Sequence, residues 1–125
     1  MERKRIAYHY LNYLEEGNMS AIITLFDING TVNSPIYGIK KASDFYTQLN
    51  EDTYSSELEL KGLFEEANTS RLALYFCYTW ILKNKERVTF DVVDIIEFTK
   101  QGKIKTLNII YDTVVTRTLI EKLNS

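Results

Sequence analysis

Residues 31–38 read TVNSPIYG and contain the only proline of the chain. The residues before it read as a strand. A proline has no amide proton and a fixed φ, so it suits the point where a strand ends or runs along an edge. The octapeptide therefore marks a strand exit, and the patterns on either side of it decide the fold. Upstream, Glu2 to Glu16 carries Ile6, Ala7, Tyr10, Leu11, Tyr13 and Leu14 at spacings of three and four, one face of a helix with Tyr10 near its middle. Gly17 is placed to end that helix in a left-handed conformation, and Asn18 to cap the next. The second helix is short, with Met19, Ile22, Ile23 and Phe26 on its buried face, and DING (27–30) has the composition of a tight turn.

Downstream of the octapeptide, Ile39, Ala42, Phe45, Tyr46 and Leu49 recur at helical intervals up to the polar NED at 50–52. From Thr53 to Tyr111 the period becomes two, in three or four runs separated by EEANTSR (65–71), KNKER (83–87) and KQGK (100–103), the turns of a meander. Residues 72–82 place Leu72, Leu74, Phe76, Tyr78 and Trp80 on one face and Ala73, Tyr75, Cys77 and Thr79 on the other, as in a central strand. The tail TVVTRTLIEKLNS fits either a last strand or a short helix through Val115, Leu119 and Leu123. Helices followed by antiparallel strands, with no linker or repeat, predict one α+β domain over residues 1–125.

Composition narrows the function classes. A chain of 125 residues buries roughly two-thirds of its unfolded surface, enough for a real core. The net charge is −2 with a pI near 5.4, and the basic residues are interspersed with acidic ones, which disfavours a nucleic-acid partner. The start MERKRIAYHYLNYL interrupts any signal-like apolar stretch with Tyr, His and Asn, and the longest apolar run, LALYFCYTWIL, is too short for a membrane span. One cysteine, Cys77, precludes an internal disulfide framework and fits a reducing cytoplasm. One Cys and one His offer no zinc spacing, and five isolated glycines make no phosphate loop, so neither metal nor cofactor is expected.

One residue breaks the pattern. In RVTFDVVDIIEF (87–98), one parity reads Val88, Phe90, Val92, Asp94, Ile96, Phe98. A carboxylate in an apolar row must be paired with a cation, held by hydrogen bonds, kept neutral by a raised pKa, or turned outward by a bulge.

The order of helix, helix, VNSPIYG, helix and long meander resembles the nuclear transport factor 2-like superfamily, particularly its ketosteroid isomerase-like and SnoaL-like branches. The matching pieces are YLNYLEEGNMSAIITLF (10–26), TVNSPIYG (31–38) and VVDIIEFTKQGKIKTLNIIYD (92–112). The resemblance implies a cone: a strongly curved antiparallel sheet wrapped around three N-terminal helices, with a pocket at its open end and commonly a homodimer. In ketosteroid isomerases an aspartate before the proline carries the proton, while a tyrosine on the first helix and a neutral aspartic acid on a late strand form the oxyanion hole. Matched motif by motif, the tyrosine falls on Tyr10 and the neutral acid on Asp94. The proton carrier falls on Ser34, a departure, because a serine hydroxyl needs an activating partner to act as a base near neutral pH. Similarity to limonene epoxide hydrolases is weaker, since Val92 stands where their arginine would be.

These assignments compete with plainer ones. Tyr10 also reads as a core tyrosine. Asp112, at the end of IIYDT, reads either as a base reaching the cavity or as a cap on the strand end or the segment after it. Asp27 fits the DING turn, His9 a solvated flank of the first helix, and Cys77 a small buried hydrophobe. Phe76, Tyr78 and Trp80, with Tyr37 and Phe45 beside the octapeptide's proline, form either the wall of a pocket for a small apolar or aromatic ligand or simply the filling of the cone. Two function classes remain: an isomerase-, cyclase- or lyase-type enzyme acting on an enolisable carbonyl compound through Tyr10 and Asp94, with Asp112 or a bound water as base, and a non-catalytic ligand-binding or protein-interaction module on the same scaffold. Ala73, Tyr75, Cys77, Val93 and Ile95 on the outer face predict dimerisation through the sheet.

Overall fold

The computed structural model describes residues 2–125. Helix α1 (Glu2–Glu16) buries Ala7, Tyr10, Leu11 and Leu14 along one face, as its 3.6-residue period requires. Gly17 comes next with φ 74°, a conformation that a Cβ makes costly. The Asn18 side chain accepts the Ala21 N–H at 3.3 Å and caps α2 (Met19–Thr24).

Strand β1 (Phe26–Ser34) begins almost at once, so DING lies inside a strand and not in a turn between elements. Phe26, expected on the second helix, is the strand's first residue and is buried. The turn chemistry is spent on a bulge. From Phe26 to Thr31, β1 advances five residues while its partner advances two, from Ile104 to Thr106. Asp27 Oδ2 accepts the Asn29 N–H at 3.0 Å within the bulge, and Ile28 is left 89% exposed.

Residues 35–37 reverse the chain into β2 (Gly38–Lys41), which pairs antiparallel with β1. Ser34 Oγ accepts the Tyr37 N–H at 2.9 Å, and Gly38 has φ 76°. The proline thus sits in a hairpin turn, where no ladder bond needs its missing proton. Ile39 belongs to β2 and is 74% exposed, not the first residue of the third helix. That helix, α3 (Ala42–Asp52), starts only after the pairing with β1 has used the backbone of residues 38–41, and it buries Ala42, Phe45, Tyr46 and Leu49.

The meander consists of β3 (Thr53–Glu65), β4 (Arg71–Leu82), β5 (Arg87–Phe98) and β6 (Ile104–Ile110). The sheet order is β2-β1-β6-β5-β4-β3, antiparallel except at the β1–β6 seam, which is parallel because β1 returns to the sheet beside its last strand. The sheet is curved and unclosed, with register shifts in β3 near Ser55 and Gly62. Its inward residues join those of α1, α2 and α3 in one core that contains Leu74, Phe76, Val92, Ile96 and Leu107.

The tail is a helix, α4 (Val114–Leu123). Strand β6 already has β1 on one side and β5 on the other, so no place beside it remains for a further strand. Thr116 and Ile120 are buried, with Leu119 and Leu123 partly so, whereas Val115 is 57% exposed and not on the packed face. Arg117 donates to the Pro35 carbonyl at 3.2 Å, and Lys122 meets Glu86 at 2.5 Å, tying α4 to two turns. Among the described residues, no helix is long and apolar enough to cross a membrane.

The bulge generates a stability prediction. A Cβ at Gly30 would lie 2.9 Å from the Asp27 and Ile104 carbonyl oxygens, both backbone atoms. Gly30→Ala is expected to lower the unfolding free energy by roughly 1–3 kcal/mol, the usual range for overpacking, in a denaturant titration. Unchanged stability would contradict this close approach.

Candidate functional site

Between α1, α3 and the inner face of the sheet lies a cavity of about 50 Å³. Tyr10 reaches it from α1, Phe45 from α3, Phe76, Tyr78 and Trp80 from β4, and Asp94 from β5. Ser34 and Tyr37 enter from the two ends of the β1–β2 turn. The aromatic and hydroxyl residues expected around the octapeptide and on β4 therefore border one space, together with Tyr10 and Asp94.

Asp112 does not. It is exposed, and its Oδ1 accepts the Val114 N–H at 3.0 Å, capping the start of α4. The inward parity of β6 belongs instead to Ile109 and continues in Tyr111, both of which line the cavity. His9 is exposed beside the Tyr13 ring, and Cys77 lies half-buried on the sheet. Among the described residues, no group of three or more His, Cys, Asp and Glu is placed to hold a metal.

The alternatives for Asp94 are separated by its surroundings. The β4–β5 ladder runs in unbroken register, with Asp94 opposite Leu74, so no bulge turns it outward. Asp94 is 1% exposed, Oδ1 has no hydrogen-bond partner, and no Lys or Arg among the described residues pairs with it. Burial alone pushes its pKa well above the ordinary carboxylate range, which favours the protonated form of the side chain.

Tyr10 has a partner that the sequence did not announce. Its hydroxyl lies 2.7 Å from that of Tyr46, which stands behind it on α3 and does not border the cavity. Neither hydroxyl has another hydrogen-bond partner among the described residues, so one of the two protons lies between them and the other has no protein acceptor. Of the two, only Tyr10 borders the cavity. Burial above all, reinforced by Tyr46 and Asp94, raises the Tyr10 pKa well above its usual value.

Four other polar side chains of the wall have protein partners, whereas the Tyr111 hydroxyl has none among the described residues. Tyr78 shares a hydrogen bond with Ser56 at 3.0 Å, and Trp80 Nε1 donates to Thr53 Oγ1 at 2.8 Å. Ser34 Oγ is occupied by the Tyr37 amide, so it serves the turn. Tyr37 donates to Asp52 Oδ2 at 2.5 Å. At the mouth, the Phe90 and Tyr111 rings stack 4.2 Å apart, and burial raises the Tyr111 pKa to about 12. Tyr46, Asp52, Phe90 and Tyr111 were not read as site residues. A signal existed for Phe90, which shares the parity of Asp94; the others depend on tertiary contacts.

A buried acid with a raised pKa has a pH signature. Below the unfolded pKa, folded and unfolded chains both hold the proton and Asp94 costs nothing electrostatically. Above it the folded chain holds one proton more, so stability falls by about 1.4 kcal/mol per pH unit until the folded pKa is reached. Asp94→Asn is expected to match or exceed the wild type at neutral pH, with an advantage that grows from mildly acidic pH upward. Paired denaturation curves across pH test this. A pH-independent difference, or a large loss at neutral pH, would show a charged and paired aspartate.

No protein-family model and no curated protein matches the chain. Solved structures do. The epoxide hydrolase/cyclase-like enzyme SalBIII, described for pyran ring formation in the polyether salinomycin, shares 22% identity with a TM-score of 0.75, over 90% of this chain and 95% of its own. TerC, co-crystallized with polyporic acid, shares 15% with a TM-score of 0.80, over 97% and 99%. An NTF2-like protein of unknown function from Burkholderia pseudomallei shares 13% with a TM-score of 0.83, over 96% and 98%. The α1–α3 helices held in a curved sheet with a cavity beneath them are thus the nuclear transport factor 2-like fold.

Proposed function

We propose that the cavity binds a small carbonyl compound whose oxygen is held by Tyr10 and Asp94. One observation carries this reading: the Tyr10 hydroxyl and the Asp94 carboxyl face one buried space in which Asp94 Oδ1 lacks any protein partner, and a proton supplied by Tyr46 would leave that of Tyr10 for a ligand. Two donors match the two lone pairs of a carbonyl oxygen. They bind it more strongly as it gains negative charge, which is the requirement for stabilising an enolate. The same arrangement suits an isomerase-, cyclase- or lyase-type reaction on an enolisable substrate. SalBIII and TerC place a cyclase-like enzyme and a ligand complex on related scaffolds, which supports the class without specifying the substrate.

The volume limits the occupant. A cavity of about 50 Å³ is smaller than the ~150 Å³ that takes up a benzene ring, so even a single-ring ligand enters only when the Phe90–Tyr111 stack swings aside. A single-ring ligand fits this reading better than a polycyclic one. A non-catalytic binding role is the second reading. It is favoured by the absence of a carboxylate at Ser34 and the outward position of Asp112, which leave no acid of the sequence-based set to act as base.

The sheet's outer surface carries Phe64 and Ile110 exposed near half-buried Ala73, Val93 and Ile95. We assign this face to a homodimer contact, for which sedimentation at micromolar concentration should give twice the monomer mass; monomer alone would overturn it.

The binding reading is tested with 4-nitrophenol, whose phenolate imitates an enolate and whose absorbance reports its charge state. Saturable binding with a spectral shift is expected, with quenching of Trp80, the only tryptophan, which borders the cavity. Loss of one charge-assisted hydrogen bond costs roughly 1.5–3 kcal/mol, so Tyr10→Phe should weaken binding about tenfold to a hundredfold with the fold intact. No saturable binding would refute a ligand cavity. Binding indifferent to Tyr10→Phe would refute the assignment of its polar end. Solvent-deuterium exchange into acetophenone, accelerated by the wild type and lost in Tyr10→Phe, separates the catalytic reading from the passive one.

A further inference from the structure

Another polar group of the cavity wall has the opposite character to Tyr10 and Asp94. Tyr37 lines the cavity, and behind it lies Asp52, buried at the C-terminal end of α3 and outside the lining. Asp52 Oδ2 receives two donors, the Tyr37 hydroxyl at 2.5 Å and the Gln48 amide at 3.2 Å. An amide NH₂ can only donate, so an oxygen that collects both contacts acts as a carboxylate oxygen. Its position is costly, because a negative charge at a helix C-terminus opposes the helix dipole and burial removes it from water.

The consequence falls on Tyr37. Its one proton is committed to Asp52, which leaves only lone pairs to offer the cavity. The carboxylate also makes the phenol oxygen a better acceptor and, with burial, keeps it protonated. The backbone reinforces the placement: the Tyr37 amide is fixed by Ser34 Oγ, and the ring packs edge-on against Phe45 at 5.6 Å.

Resting on the carbonyl-binding reading above, we infer that the cavity selects a hydroxy-carbonyl compound, with its carbonyl on the donors Tyr10 and Asp94 and its hydroxyl donating to Tyr37. Asp52 is the positioning residue that sets the polarity of Tyr37. The ligand class is thereby narrowed from any small ketone to one that carries a hydrogen-bond donor besides its carbonyl. A ligand with acceptors at both ends would leave Tyr37 facing an acceptor without a proton between them, an arrangement that buried sites penalise strongly.

The test compares acetophenone with 3- and 4-hydroxyacetophenone by calorimetry, at a pH where the phenols keep their protons. One hydroxy isomer is expected to bind wild type about tenfold more tightly than acetophenone, the worth of one added hydrogen bond in a dry site. Tyr37→Phe should abolish that gain, so that the variant binds neither hydroxy isomer more tightly than acetophenone. Asp52→Asn should reduce the gain, because Tyr37 keeps its hydroxyl but loses the anion that orients its proton. No gain from either isomer, or a gain that survives Tyr37→Phe, overturns the inference. Acetophenone binding that is weakened by Tyr10→Phe but indifferent to the added hydroxyl overturns this inference alone. Failure of all three compounds to bind overturns the carbonyl-binding reading as well. If Tyr37→Phe does not fold, Asp52→Asn decides, and an undiminished gain in it overturns the proposal.

Discussion

Eleven consecutive residue pairs join β4 to β5 without a shift in register, and the site depends on that continuity. Because side chains alternate strictly along a strand, the unbroken ladder forces Leu74, Phe76, Tyr78 and Trp80 to share a face with Val92 and Asp94. A single slip would place the aromatic wall in water and the acid outside. The apolar members of the row stabilise the register through burial, and Asp94 is carried inward with them. It has the environment its neighbours dictate, and its proton is a result of that environment.

The polar groups of the cavity wall are not all of one kind. Tyr10 and Asp94 border the space with one side-chain hydrogen bond between them, the one that Tyr10 shares with Tyr46 behind it. Tyr37 instead donates its hydroxyl to Asp52. The wall is therefore electrostatically asymmetric. Fixed dipoles of this kind need no reorganisation when charge develops, which is why buried sites use them at the expense of stability.

The parts legible in the sequence are those governed by local periodicity. The α1 stripe, the Gly17–Asn18 junction, the β4 parity and the anomaly at Asp94 all arise from residues within a few positions of one another. The DING segment misled because Asp, Asn and Gly serve a bulge as well as a turn. Ile39 misled because its spacing to Ala42 is helical by coincidence, while the neighbouring strand, not the spacing, determined its backbone. Asp112 and Tyr111 differ by one step of strand parity, and only the end of β6 fixes which of them turns inward. The Tyr10–Tyr46 and Tyr37–Asp52 bonds join residues 36 and 15 positions apart, beyond the reach of any periodic reading.

An unclosed sheet leaves two strands with a free side, β2 and β3. Such strands invite other chains to add on, and repeated addition ends in fibres. Here one free side is four residues long and carries Lys40 and Lys41, and the other is broken by the irregularities near Ser55 and Gly62 and bears Glu57, Glu59 and Lys61. The features that shape the cone thus also oppose amyloid-like growth, because both rims of the sheet resist the addition of a further strand.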